Sequence, residues 1–200
     1  MAQPLSSLRR TLRAARAALE PSEQRAHAAA VARLLARDLS VQRARRIALY
    51  WPADGELDPF PLLARLSRPS RRWYLPVLRV HTAARLWFVR YRPGDRLRAN
   101  RFGIPEPVRR GRHLIHPGHL DLLLMPLVGF DADCHRLGMG GGYYDRSLAF
   151  LRGHRRWARP LLVGLAHDCQ RVERIDPRPW DLPLDAVVTE KGIYRRGVLP

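Results

Sequence analysis

Cysteine is scarce in this chain, and the two that occur, Cys134 and Cys169, show neither the paired CxxC spacing of a metal or redox motif nor the density of a disulfide scaffold. Both read as free thiols. No run of about eighteen apolar residues is present, which argues against a membrane-spanning helix. The N-terminus is polar and arginine-rich without an apolar signal region, so the expected compartment is the cytoplasm. Lysine is almost missing: Lys191 stands alone, and arginine carries nearly all the positive charge. Acidic residues number 18 against 36 basic ones, a formal net charge of +18. Such a balance is the usual footprint of a nucleic-acid binder. Yet the arginines are dispersed from Arg9 to Arg196 and form no compact tract with interleaved aromatics, RGHRR at 152–156 being one local cluster. A basic surface equally steers a small polyanion. Nucleic acid is therefore not the expected partner, and an arginine-rich RNA binder stays as the competing reading.

What is present is a chain of 200 residues, 46% hydrophobic, enough for one domain with a substantial core. Leu5, Leu8, Leu12, Ala15 and Leu19 recur at helical spacing, with Arg9, Arg10, Arg13 and Arg16 on the polar side. Pro21 suits the first turn of a second helix running to Leu39. RIALYW (46–51) reads as a strand buried on both faces, Pro59 to Leu66 as a helix, RWYLPVL and Arg85 to Tyr91 as strands, and LLLMPLVGFD (122–131) as a buried strand. LLVGLAH (161–167) and AVVT (186–189) complete the set, and Arg92 to Pro107 reads as one long loop. Strands alternating with helices imply an α/β fold whose ligands lie beyond the carboxyl ends of the strands. His113, His116 and His119 have a spacing open to a metal, but Pro117 and Gly118 favour a loop.

The segment RLGMGGGYYD, Arg136 to Asp145, resists explanation by packing, because four glycines in five positions bury nothing and weaken any helix or strand. They do expose backbone N–H groups, which hold phosphate. A strand before and a helix start after make the loop a phosphate cradle at a helix N-terminus. The pattern is neither a Walker loop nor a dinucleotide fingerprint. Arg136 can clamp phosphate oxygens, and Asp145 can hold the magnesium that nucleotides carry.

FDADCHRLGMGGGYYD resembles the signature of the 5-formyltetrahydrofolate cyclo-ligase family, also called 5,10-methenyltetrahydrofolate synthetases. WPADGELD (51–58), YLPV (74–77), FGIPEP (102–107) and PWDLPLDAVVT (179–189) fall in the same order, so the resemblance covers nearly the whole chain. It implies a single-domain α/β fold with a mostly parallel sheet flanked by helices, Rossmann-like and similar to the NagB/RpiA/CoA-transferase-like architecture. Residues 1–40 would be helices serving an ATP site and residues 46–189 the α/β body.

The implied activity is the ATP- and Mg2+-dependent closure of 5-formyltetrahydrofolate to 5,10-methenyltetrahydrofolate. Catalytic roles would fall to Arg136, Tyr144 and Asp145. ATP contacts would come from Arg9, Arg10, Arg136, Leu137, Gly138, Met139, Gly140, Gly141, Gly142, Tyr143 and Tyr144. The folate, with or without a glutamate tail, would meet Trp51, Glu56, Met139, Gly140, Gly141, Gly142 and Tyr143. Asp145 and Asp181 would hold Mg2+. Read as residues alone, Trp51 is a core aromatic, Glu56 a turn carboxylate and Asp181 a turn former.

Two positions depart from the family pattern. Leu5 replaces a usual lysine, so one phosphate contact is missing or is replaced by Arg10 or Arg13. Cys134 replaces a usual glycine in a turn that calls for positive φ, which predicts a slightly altered turn.

Overall fold

A computed structural model describes residues 4–78, 85–108, 111–152 and 160–197. The chain runs α1 (Leu5–Ala17), α2 (Pro21–Arg37), α3 (Leu39–Arg43), β1 (Arg46–Ala48), α4 (Phe60–Leu66), β2 (Arg72–Leu78) and β3 (Leu86–Tyr91). It continues through β4 (Leu97–Ala99), β5 (Pro105–Pro107), β6 (Leu114–Ile115), β7 (Leu122–Pro126), β8 (Gly129–Phe130) and β9 (Arg136–Leu137). It ends with α5 (Tyr143–Ser147), β10 (Leu161–Leu165), β11 (Ala186–Thr189) and β12 (Gly192–Arg195). Most of the cluster at 152–156 lies outside the described residues.

An eight-stranded sheet in the order β12-β11-β10-β7-β1-β2-β3-β6 forms the centre. Its five inner strands, β11 to β2, are parallel, and β12, β3 and β6 join antiparallel. Alternation along the strands gives each face its own core. Ile47, Leu122, Leu124, Val163 and Val188 face a layer with Val31 and Leu35 of α2 and Leu62 of α4. Ala48, Leu123, Met125, Leu162 and Val187 face the other layer with Leu148, Leu151 and Leu184. Parallel strands covered on both sides read as continuous apolar runs, as this sequence does.

Helix starts follow local chemistry. Glu20 and Glu23 make a reciprocal capping box ahead of Pro21, and the Asp38 carboxylate accepts from the backbone N–H groups of Ser40 and Val41 at the head of α3. Among the described residues no helix is long and apolar enough to cross a membrane.

Several boundaries differ from the sequence reading. The first strand stops at Ala48, although Leu49 N–H still donates to Tyr74 O. The run 122–131 is two strands, because Leu127 and Val128 turn the chain out of the sheet into the β8–β9 hairpin. The expected long loop contains the β4–β5 hairpin, clamped by the buried Glu106, which accepts from Leu78 N–H and the Asn100 amide. The helix from Tyr143 is one short turn followed by a 3-10 turn at Ala149–Leu151.

Cys134 has φ 63°, as the turn predicted, and is fully buried with burial pushing its thiol up to about 11. Cys134→Gly therefore sets two effects against each other. Relief of a left-handed non-glycine residue is worth about 1 kcal/mol, and loss of the buried side chain costs about as much. The expected melting temperature stays within about 4 °C of the parent in a thermal melt. A larger drop would show that packing of the thiol dominates over backbone strain.

Candidate active site

β1 and β7 are neighbours in the sheet, but their connections leave in opposite directions, β1 toward β2 and β7 toward the side of β10. A crevice opens beyond the carboxyl ends of strands at such a reversal. The two loops that leave these strands carry most of the expected site residues. Residues 49–59 follow β1 with Trp51 and Glu56, and the β8–β9 hairpin with the glycine loop follows β7.

The first helix ties these two loops together. Arg9 Nε donates to Gly138 O at 2.7 Å, and its guanidinium lies 3.9 Å from where a side chain on Gly140 would begin. One and two turns on, Arg13 Nη2 and Arg16 Nη2 reach Asp54 Oδ2 at 2.6 and 3.2 Å. Arg9, Arg13 and Arg16 form one stripe at i, i+4, i+7. Asp54 sits at φ 54° in the turn before Gly55, a left-handed backbone position that Asp adopts more readily than most non-glycine residues. Leu5, one turn before Arg9, packs with Leu8 and Leu12 against Val128 and Leu137. That explains the departure at Leu5: the position is used for docking. Arg13 is engaged by Asp54, whereas Arg10 is exposed.

Gly140 and Gly142 are set by backbone conformation, at φ 93° and 60°, whereas Gly138 has open space around it. A Cβ on Gly142, which has φ 60°, would meet Arg146 Nη1 at 2.8 Å, and one on Gly141 would meet the Tyr143 ring at 3.1 Å. Arg146 also donates to Gly141 O, folding its guanidinium over the loop. The Arg136 side chain is 7% exposed and bridges two segments, donating to Leu182 O at 2.6 Å and to Asp145 Oδ1. The second carboxylate oxygen of Asp145 has no partner among the described residues, so it fits a single-carboxylate hold on a Mg2+ otherwise bound by phosphate and water. Asp181 accepts from Arg178 N–H at 2.9 Å within a turn, one residue before Leu182. Leu182, the next residue, carries the carbonyl that Arg136 bridges to Asp145.

The adjacent tyrosines diverge, as neighbours on a helix must. Tyr143 meets the β4–β5 hairpin, its hydroxyl accepting from Arg101 and its ring edge-on to Phe102 at 6.0 Å. Tyr144 lies beside Glu56 and Arg136, and burial first, then the Glu56 charge, push its hydroxyl far above the ordinary phenol value. Glu56 is pushed up chiefly by burial, opposed by the Ala53 N–H that donates to it at 3.2 Å and by Arg16. Trp51 is half-buried, edge-on to Phe60 at 5.0 Å, and Met139 is exposed. Leu137 is buried beneath α1. A groove of about 600 Å³ runs between α2 and residues 52–58, reaching Glu56 and Asp58 but not the glycine loop.

Sequence reasoning missed the partners of Arg13 and Arg16, and it missed Tyr50, whose buried hydroxyl donates to Leu57 O beside Glu56. The Arg9, Arg13, Arg16 stripe was the available signal. Nothing local marks Arg101 or Arg146.

Residues 2–190 match the model of the 5-formyltetrahydrofolate cyclo-ligase family. The chain is 40% identical over 183 residues to the 5-formyltetrahydrofolate cyclo-ligase of Escherichia coli strain K12, spanning 92% of this chain and 98% of the relative. The Haemophilus influenzae enzyme of the same name is 36% identical, spanning 91% and 95%. Among solved structures, the 5,10-methenyltetrahydrofolate synthetase of Aquifex aeolicus superposes with a TM-score of 0.79 at 31% identity, covering 98% of this chain and 94% of that one. That of Mycoplasma pneumoniae gives 0.71 at 25% identity, covering 94% and 99%. With a glycine loop and a carboxylate loop held together at the sheet's reversal point, and with matches running almost end to end, the chain belongs to the 5-formyltetrahydrofolate cyclo-ligase family.

Proposed function

We propose that this enzyme uses ATP to convert 5-formyltetrahydrofolate to 5,10-methenyltetrahydrofolate at the crevice between the glycine loop and the loop after β1. The observation that carries the reading is α1, which fixes Arg9 on one loop and Arg13 and Arg16 on the other. An enzyme joining two bound substrates gains most from holding them in register. In this reading residues 1–40 serve the ATP site and residues 46–189 form the α/β body of one domain.

The chemistry begins with the formyl oxygen, a poor leaving group. It attacks the γ-phosphorus of ATP, the bond to the β-phosphate oxygen breaks, and ADP departs. The N10 lone pair then attacks the activated formyl carbon, N10 loses its proton, and the former formyl oxygen leaves as phosphate. Backbone N–H groups of Gly138 to Gly142 cradle the triphosphate, with Arg9, Arg10 and Arg136 adding charge-assisted donors. Met139 and Tyr143 flank the same loop, and Tyr143 with Trp51 bounds the folate.

Glu56 accepts from the adjacent N–H groups of the pterin. Tyr144, held protonated between Glu56 and Arg136, donates its hydroxyl toward the reacting oxygen. Mg2+, when bound by Asp145 and Asp181, supplies charge neutralisation for the transferred phosphoryl group.

An absorbance assay for methenyltetrahydrofolate tests this. Purified protein with 5-formyltetrahydrofolate, ATP and Mg2+ should form product, and omission of any one should abolish it. Product that persists without ATP would defeat the mechanism. Absence of product from folded, ATP-binding protein would redirect the site to another substrate, and nucleic-acid binding without nucleotide turnover would favour the RNA-binding reading.

A further inference from the structure

A second cluster lies where the carboxyl ends of β10 and β11 meet α2, formed by residues the cyclo-ligase chemistry does not use. His27 sits on α2, His167 two residues past β10, and Glu190 immediately past β11. One ligand atom from each lies within 4.8 Å of the others. Nδ1 of His27 is 2.9 Å from Nδ1 of His167 and 3.7 Å from Oε2 of Glu190. The rings are tilted at 50° with centroids 5.2 Å apart, so they meet through their nitrogens and do not stack. Two facing imidazole nitrogens at that distance share one proton between them, or hold one metal ion displaced to the side of the line that joins them. Zinc bonds nitrogen and carboxylate oxygen at about 2.0–2.2 Å. The two separations from His27 are shorter than two such bonds, and the third is bounded at 4.8 Å, so small side-chain adjustments bring all three atoms within reach of a single ion.

We propose that His27, His167 and Glu190 form a binding site for a divalent cation of the zinc class, separate from the magnesium that accompanies ATP. Two imidazoles and one carboxylate suit zinc, cobalt or nickel, whereas magnesium favours all-oxygen surroundings. His167 is fully buried and makes the floor of the site, and the His27 and Glu190 side chains, 22% and 16% exposed, leave an entrance for the ion and a water ligand.

Surrounding groups orient the ligands as supporting contacts do in metal centres. The Asp168 N–H donates to both carboxylate oxygens of Glu190, at 3.3 and 3.1 Å. On the far side of the His167 ring, Nε2 is buried beside the Gly55 backbone without a well-formed hydrogen bond. An ion on Nδ1 fixes the ring proton on Nε2, facing that backbone. The ion would thus staple α2 to the ends of two strands, next to the turn that carries Glu56.

Titration calorimetry of the untagged full chain with Zn2+, in excess Mg2+ and without nucleotide, should show one site per chain. Co2+ in place of Zn2+ should give visible ligand-field bands. His27→Ala and Glu190→Gln should each weaken Zn2+ binding at least about tenfold, and Zn2+ should raise the melting temperature of the parent but not of His27→Ala. His116→Ala, in the other histidine-rich segment, should bind as the parent does. Equal stoichiometry and affinity in the parent and His27→Ala, loss of binding in His116→Ala alone, or no binding at micromolar Zn2+ would each overturn the site. Because no substrate is present, that failure would leave the cyclo-ligase reading untouched.

Discussion

Asp145→Asn is expected to lower kcat by about a hundredfold or more, with the protein still folded. Asp145 stands in the single turn of α5 that begins after Gly142, and one of its oxygens accepts from Arg136. Asparagine keeps the shape and an oxygen for Arg136, so the bridge from Leu182 through Arg136 to residue 145 survives, at a stability cost of about 1 kcal/mol. What it removes is the negative charge, which acts on whatever cation sits against the transferring phosphoryl group.

Two mechanisms for that loss separate experimentally. If Asp145 holds Mg2+, the Mg2+ concentration for half-maximal turnover rises along with the fall in kcat. If Asp145 serves only to neutralise Arg136, kcat falls while the Mg2+ requirement stays put. Initial rates across a Mg2+ titration, beside a thermal melt, decide between them, and wild-type turnover would remove Asp145 from the metal assignment altogether.

The sheet was legible because its inner strands are apolar on both faces, and the glycine loop was legible because nothing in a core needs it. Boundaries were another matter. Leu127 and Val128 are as buried as the strand before them, so composition carries no mark of the turn into the β8–β9 hairpin. β4, β5 and β12 are short and polar, and they are strands only because a partner supplies the ladder. Cys134 is the opposite case: the family resemblance puts a glycine at this hairpin position, so a positive φ was expected there.

The tyrosine pair stayed ambiguous in sequence and separates in the fold, because residues 143 and 144 point about 100° apart on one turn. Arg13 and Arg16 show the limit most clearly. Their polar stripe reads as a solvated face, and only the fold brings Asp54, some forty residues on, beneath it. Arg16 then becomes a buried guanidinium, 1% exposed, with Nε and Nη1 unpartnered among the described residues.

Glu56→Gln is expected to raise the KM for 5-formyltetrahydrofolate about 10- to 100-fold, the range for losing hydrogen bonds to a charged group, with the KM for ATP little changed. A pterin presents neighbouring N–H donors, and a carboxylate accepts from both, whereas glutamine offers one oxygen and turns an amide donor toward the second. The same substitution should leave the free enzyme at least as stable. Burial lifts the Glu56 carboxyl above its ordinary value, so the folded state binds that proton more tightly than the unfolded chain does. The sign follows: stability contributed by this group falls as pH rises from the ordinary carboxyl value through the raised one, and is recovered below it. Glutamine does not titrate and still accepts the Ala53 N–H, so the variant should melt no lower than the parent at neutral pH and lose that part of the slope. A binding defect joined to equal or greater stability is what a carboxylate kept for substrate produces. An unchanged folate KM with a lower melting temperature would instead make Glu56 a brace for the Asp54–Gly55 turn.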